Sequence, residues 1–215
     1  MEAVLSSIVH RADDTYLYEQ TLHNHGYPTV AGLDEAGRGP LAGPVVAACV
    51  ILPRECNHSL FLDSKKLSAS RRQTLARSLH DIKAAIGIGI VSHQTIDQIN
   101  ILQASLLAMR RAVDNLPSLQ QAPDFLLIDG KFSIPIDIPQ QALIKGESKS
   151  ASIAAASIIA KTHRDALMAE LDKKYPIYQF SRHQGYPTKA HRQAIVDHGP
   201  CPYHRKTFKG VREFV

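Results

Sequence analysis

The chain has 215 residues, 44% of them hydrophobic and 21% charged, and this size and balance fit one globular domain and exclude disordered, collagen-like and coiled-coil proteins. The net charge of +5 permits a polyanionic partner. Cys49, Cys56 and Cys201 are too few and too scattered for a disulfide framework, which fits a reducing compartment, so a cytoplasmic protein is expected. The N-terminus lacks the pattern of a secretory signal, and the longest apolar runs, 45–52 and 153–160, fall short of the roughly 18–20 residues that span a bilayer.

In chain order, the first strand is predicted over Val30–Asp34, followed by a turn holding Gly37, Gly39 and Gly43 and then by the run Val45–Leu52, whose continuous apolar character suits a strand buried on both faces. Ser68 or Ser70 caps a helix carrying Leu75, Leu79 and Ile82, and a third strand fits Ala85–Val91. A longer helix is predicted from Asn100, with Leu102, Leu106, Met109, Val113 and Leu116 as its apolar stripe and Pro117 as its stop. Phe125–Ile128 and Ala142–Ile144 read as the last strands. Ser150–Lys173 is the longest helical candidate, apolar nearly all round from 151 to 160 and therefore expected to be buried against the sheet. Residues 161–215 hold eleven Lys or Arg against five Asp or Glu, while residues 1–160 hold fourteen against fifteen, so the basic surplus is C-terminal.

Asp34 and Glu35 close the first strand, Asp129 closes the fourth, and Glu147 follows the fifth. Acids at strand ends beside glycine turns are placed to gather along one edge of a sheet, where they stay ionised together only with a neutralising cation, and their hard oxygens suit Mg²⁺ or Mn²⁺. Successive strand residues face opposite ways, so a shared site for Asp34 and Glu35 requires a bend at Glu35. The glycine spacing is not that of a dinucleotide fold and a strand follows it rather than a helix; a P-loop string is absent, as is a G-x-S-x-G nucleophile context. His198, Cys201 and His204 do not have the usual spacing of a structural zinc site, and His183 and His191 read as core or surface histidines or phosphate contacts.

The string from Gly32 to Val46, GLDEAGRGPLAGPVV, resembles the signature of the ribonuclease HII family. Further similar blocks follow in order: Asp63-Ser64-Lys65-Lys66-Leu67-Ser68, Ile128-Asp129-Gly130, Lys145-Gly146-Glu147-Ser148-Lys149, Ala154 to Lys161, Arg164-Asp165, and His183 to Thr188. The resemblance covers about 32–208. It implies an α/β fold of the ribonuclease H-like type, a mixed sheet flanked by helices, in a single domain with an N-terminal extension at 1–28 and a small helical C-terminal portion, about 175–215, bordering the substrate groove.

It also implies an endonuclease that hydrolyses the phosphodiester 5′ to a ribonucleotide in RNA·DNA hybrids and at single ribonucleotides in duplex DNA, using two divalent ions, Mg²⁺ or Mn²⁺. By that likeness Asp34, Glu35, Asp129 and Glu147 are the catalytic metal ligands, and Gly37, Arg38, Gly39, Lys65 and Tyr186 bind substrate, with Tyr186 reading the RNA-to-DNA junction. Arg164-Asp165 reads as an ion pair on a helix surface. No coiled-coil pattern opposes a monomer. One position departs from the family, which usually has Asp where this chain has Glu147; the extra methylene is worth ~1.5 Å, and a catalytically impaired nucleic-acid-binding module is the alternative reading.

Overall fold

The computed structural model describes residues 14–61, 67–117 and 122–215. Strands β1 (Val30–Ala36), β2 (Val45–Ile51) and β3 (Ala85–Val91) form an antiparallel meander. β4 (Phe125–Asp129) pairs parallel to β1 on its other side, and β5 (Gln140–Leu143) parallel to β4, giving one mixed sheet in the order β3-β2-β1-β4-β5. β1 is therefore central, and β2, buried almost throughout, is the two-sided strand its unbroken apolar run predicts.

Helices α1 (Leu17–Asn24), α2 (Ala69–Asp81), α3 (His93–Asp114) and α4 (Ala151–Lys174) enclose that sheet. The small residues of α4 pack on one face of β1 and β2, where Ala48 and Val50 meet Ala151, Ala154 and Ala155, and α2 adds Leu75 and Leu79 to the same layer. A Cβ at Gly32 would fall inside the backbone of Ser152, which shows how closely this helix crosses the sheet. Ser68 caps α2 and Ser150 caps α4, each accepting a backbone N–H two residues into its helix at 3.2 Å.

α3 covers the opposite face and departs from the predicted helix in two ways. It starts at His93, behind the cap Ser92, and breaks at Asn100 (φ 65, ψ 166), whose Oδ1 accepts from the amides of Leu102 and Gln103 at 3.0 and 3.1 Å and so recaps the second half. Its buried stripe consists of Ala104, Ala108, Met109, Ala112 and Val113, whereas Leu102, Leu106 and Leu116 are half-buried. The reason lies in β3, where the carbonyls of Ala112 and Ala108 occupy the space that a Cβ on Gly87 or Gly89 would fill. So close an approach admits alanine and turns leucine aside.

Helices α5 (Phe180–His183) and α6 (Lys189–His198) fold the C-terminal portion against α4, where Met168, Tyr178, Phe180 and Ile195 form a separate core with Leu41 and Ala42. The final segment is tied to the first half of α3, because Asp97 accepts from the amides of Lys206 (2.9 Å) and Thr207 (3.0 Å). At the other end of the chain, residues 14–28 join the core, with Tyr18 and Leu22 packed on Val30, Phe125, Leu127 and Ile153.

Candidate active site

Asp34, Glu35, Asp129 and Glu147 line one cleft of about 250 Å³ together with residues 36–39, Arg72, Ser157, Lys161 and Tyr186. The sheet register accounts for the convergence. Leu33 is level with Ile128 and Asp129 with Leu143, so Asp34, Asp129 and the turn after β5 stand side by side at the carboxyl ends of three parallel strands. Crevices at such strand ends are where open α/β sheets bind ligands. The bend expected at Glu35 comes later: β1 continues opposite β2 through Ala36, and the turn occurs at Gly37 (φ 102). Pairing with β4 stops at Leu33, which opens that side of β1 and lets side chains from both of its faces reach the cleft rim.

Each acid is held by its own neighbourhood. Asp34 Oδ1 accepts from the Glu35 amide at 2.7 Å, Glu35 Oε1 pairs with Arg38 Nη1 at 3.1 Å, and Asp129 Oδ1 accepts from the Gly146 amide at 2.7 Å. Glu147 is buried in the 3₁₀ turn Gly146–Ser148. Burial first, and then the charges of Glu35, Asp129 and Glu147, push the Asp34 carboxyl well above its ordinary range.

The 37–44 loop is fastened from inside by two buried arginines. Arg205 donates to the carbonyls of Gly37 (2.6 Å), Arg38 (2.9 Å) and Gly43 (3.0 Å), and Arg164 to those of Ala42 (3.1 Å), Pro44 (3.0 Å) and Gln184 (2.9 Å). A trans peptide places N–H opposite C=O, so with the Gly37 and Arg38 carbonyls drawn to Arg205 the amides of Arg38 and Gly39 point away from it, on the exposed side of the loop. Burial lowers the two guanidiniums only to about 10 and about 9, so both remain charged near neutrality. Arg164 is thus not the surface partner of Asp165; that carboxylate pairs instead with Lys161 and, at 3.5 Å, with Arg72.

Tyr186 is exposed at the cleft, and a Cβ on Gly39 would stand 3.4 Å from its ring. Its backbone is fixed by a histidine relay. The Cys201 amide donates to His204 Nδ1 at 2.9 Å, the two imidazoles share a hydrogen bond of 3.0 Å between their Nε2 atoms, and His191 Nδ1 lies 2.9 Å from the Tyr186 carbonyl. That pattern assigns the protons to His204 Nε2 and His191 Nδ1. His198 is exposed and has no part in the relay.

Sequence reasoning brought together the four acids, Gly37, Arg38, Gly39 and Tyr186; Lys65, with residues 62–66, lies outside the described residues. It missed Arg72, Ser157 and Lys161 as cleft residues and Arg164 and Arg205 as loop anchors. The available signals were the family-like blocks Ala154 to Lys161, which holds Ser157 and Lys161, and Arg164-Asp165, just beyond the uncharged buried run 151–160. In this arrangement no three acidic, histidine or cysteine side chains among the described residues stand close enough to hold one ion. The donor set nevertheless fits a hard divalent cation: four carboxylates share the cleft with no thiol or imidazole lining it, and their mutual repulsion calls for positive charge.

The same fold is found in ribonuclease H2 from Pyrococcus horikoshii OT3, with a TM-score of 0.71 and 26% identity over 86% of this chain and 96% of that one. Bst-RNase HIII in complex with Mn²⁺ has a TM-score of 0.66 at 19% identity, over 89% of this chain and 70% of that one. Sheet and helices therefore define a fold of the ribonuclease H type. The family model of ribonuclease HII matches residues 31–211, and the Ribonuclease HII of Desulfotalea psychrophila is 56% identical over 215 residues, spanning 100% of this chain and 96% of that relative. The chain belongs to the ribonuclease HII family, whose members are endonucleases of the ribonuclease H type.

Proposed function

We propose that this chain hydrolyses the phosphodiester on the 5′ side of a ribonucleotide, in RNA·DNA hybrids and at single ribonucleotides in duplex DNA, leaving 5′-phosphate and 3′-hydroxyl ends. The observation that carries the reading is the meeting, in one cleft, of four strand-end carboxylates with the Gly37–Gly39 loop and Tyr186. Removal of RNA primers and of misincorporated ribonucleotides is the cellular role this activity suits.

Asp34, Glu35, Asp129 and Glu147 would hold the divalent ions, which when bound activate water and stabilise charge on the departing 3′-oxygen. For Glu35 to take part, Arg38 must release it, and a phosphate of the substrate is the natural competitor for that guanidinium. The outward amides of Arg38 and Gly39 are donors for the ribose 2′-hydroxyl, the group that distinguishes RNA from DNA at one site. The Tyr186 ring stands over the next sugar. Arg72 and Lys161 also line the cleft, and a substrate phosphate would have to draw them from Asp165, with which both are paired.

The test is a duplex carrying one ribonucleotide, incubated with the protein and Mg²⁺ or Mn²⁺. Metal-dependent cutting 5′ to that ribonucleotide, with an all-DNA duplex left intact, is expected. Binding without cutting would favour the impaired binding module that Glu147 raises as an alternative, and cleavage of the all-DNA duplex would indicate a different nuclease on the same fold.

A further inference from the structure

We infer that Glu19 is a positioning residue for the Asp129–Glu147 side of the cleft, acting through the first turn of α4; the inference rests on the metal-holding role proposed above for those two acids. Glu19 lies on α1, outside the segment matched by the family, and its side chain is 1% exposed. Its Oε1 accepts from Ser150 Oγ at 2.6 Å, Ser152 Oγ at 2.5 Å and the Ser152 amide at 3.0 Å.

Those donors are the start of α4, where four amides lack partners within the helix. All are met here, and two of the acceptors come from the N-terminal segment: Ala151 donates to the Thr15 carbonyl at 2.7 Å and Ser152 to Glu19, while Ile153 and Ala154 turn back to Ser150. A carboxylate at the positive end of a 24-residue helix is also favoured by the helix dipole.

The turn carrying Glu147 joins this cap without a spacer. The Ser150 and Lys149 amides donate to the Gly146 carbonyl at 2.9 and 2.8 Å, and the Gly146 amide donates to Asp129 Oδ1 at 2.7 Å. Contacts therefore run unbroken from Glu19 through Ser150 and Gly146 to Asp129, with Glu147 in the middle of the turn. Apolar packing of α1 is already supplied by Tyr18 and Leu22. Burying a carboxylate beside them is costly. What it adds is directional: three bonds converging on one oxygen fix where α4 begins and hence where the preceding turn can lie. Loosening that cap frees the Glu147 backbone while leaving the duplex-binding loop and Tyr186 in place.

The experiment compares the native chain with Glu19→Ala, Glu19→Gln and Ser152→Ala, measuring thermal melting, Mn²⁺ binding by calorimetry, and kcat and KM on the single-ribonucleotide duplex. Glu19→Ala is expected to weaken Mn²⁺ binding and lower kcat, each roughly tenfold as for partners of metal ligands elsewhere, with KM for the duplex nearly unchanged. Glu19→Gln, which keeps an acceptor at Oε1, is expected to recover most of both losses. A Glu19→Ala protein that melts lower yet binds Mn²⁺ and turns over like the native chain overturns the inference. Should Glu19→Ala not fold, Ser152→Ala decides: weaker Mn²⁺ binding supports the inference and native binding overturns it. A native chain that binds no Mn²⁺ overturns the metal reading and this inference together, whereas native binding with unchanged variants overturns this inference alone.

Discussion

At the scale of single residues, Asp34 is the group whose removal separates activity from stability. It is buried among Glu35, Asp129 and Glu147, and its ionised form is disfavoured in the folded protein relative to the unfolded one. Asp34→Asn is therefore expected to lower kcat by at least roughly 100-fold through loss of a metal-holding oxygen, yet to raise the melting temperature in chelator-treated protein, because it relieves repulsion that persists without a cation. A variant that keeps activity, or that melts lower, contradicts the assignment. Glu147 poses a question of length. Its backbone is pinned on both sides, by Gly146 on Asp129 and by the α4 cap, so it cannot follow a shortened side chain. Glu147→Asp should draw the carboxylate back by ~1.5 Å and cost about tenfold in kcat, read in the same cleavage assay; a gain in rate would show that the longer side chain is the poorer ligand. These acids were legible in the sequence because each sits at a strand end beside glycine. The anchors Arg164 and Arg205 were not, since all their carbonyl partners except Gln184 lie more than 100 residues away, which no spacing rule reports.

Among the elements, legibility followed the boundary signals rather than the element type: α4 agrees with its predicted limits to within a residue, whereas β1 runs two residues past Asp34 and β5 starts two residues before Ala142. β2 and β3 are bounded by turn residues and carry β-branched side chains, so their limits agree with the predicted ones to within a residue. The face of α3 was misread because hydrophobic periodicity favours leucine, whereas contact distance is set by Gly87 and Gly89 on the partner strand. Gly89→Ala places a methyl against a helix carbonyl that cannot yield cheaply, and a loss of about 1–3 kcal/mol in denaturant unfolding is expected. α1 escaped notice since much of what it buries against, Phe125, Leu127 and Ile153, comes late in the chain. The histidine relay beneath Tyr186 makes the C-terminal portion sensitive to acid. Burial pushes His191 and His204 down to about 4 each, against an ordinary value of 6.5. Between those values the unfolded chain binds more protons than the folded one, so the relay's contribution is complete above pH 6.5 and is lost as pH falls toward 4. Melting curves from pH 7 to 5 should shift downward, and His204→Gln should flatten that dependence; an unchanged slope would mean the rings are not held neutral.

For the molecule as a whole, charge is divided between an acidic cleft and a basic C-terminal quarter, and that division fixes how binding and cutting respond to salt. Under the proposed function, the four carboxylates would repel a phosphodiester until cations enter, while the net +6 of residues 161–215, which includes Lys161 of the cleft, and Arg72 would attract the nucleic-acid backbone. Affinity for a duplex should then rest on phosphate contacts, each adding about −0.9 to the slope of log K against log salt, so that four contacts lose about 100-fold between 50 and 200 mM salt. Arg72→Ala should make that slope shallower by roughly one unit without changing which bond is cut, because it removes a phosphate contact and no sugar contact. Tyr186→Phe should do the reverse, leaving the slope alone and narrowing the difference between ribonucleotide-containing and all-DNA duplexes. Binding isotherms over a salt series, taken with both duplexes and both variants, separate the two effects. If Arg72→Ala changed the cleavage position, or Tyr186→Phe the salt slope, affinity and sugar recognition would not be divided between charged flanks and the loop–tyrosine wall as the cleft's lining implies.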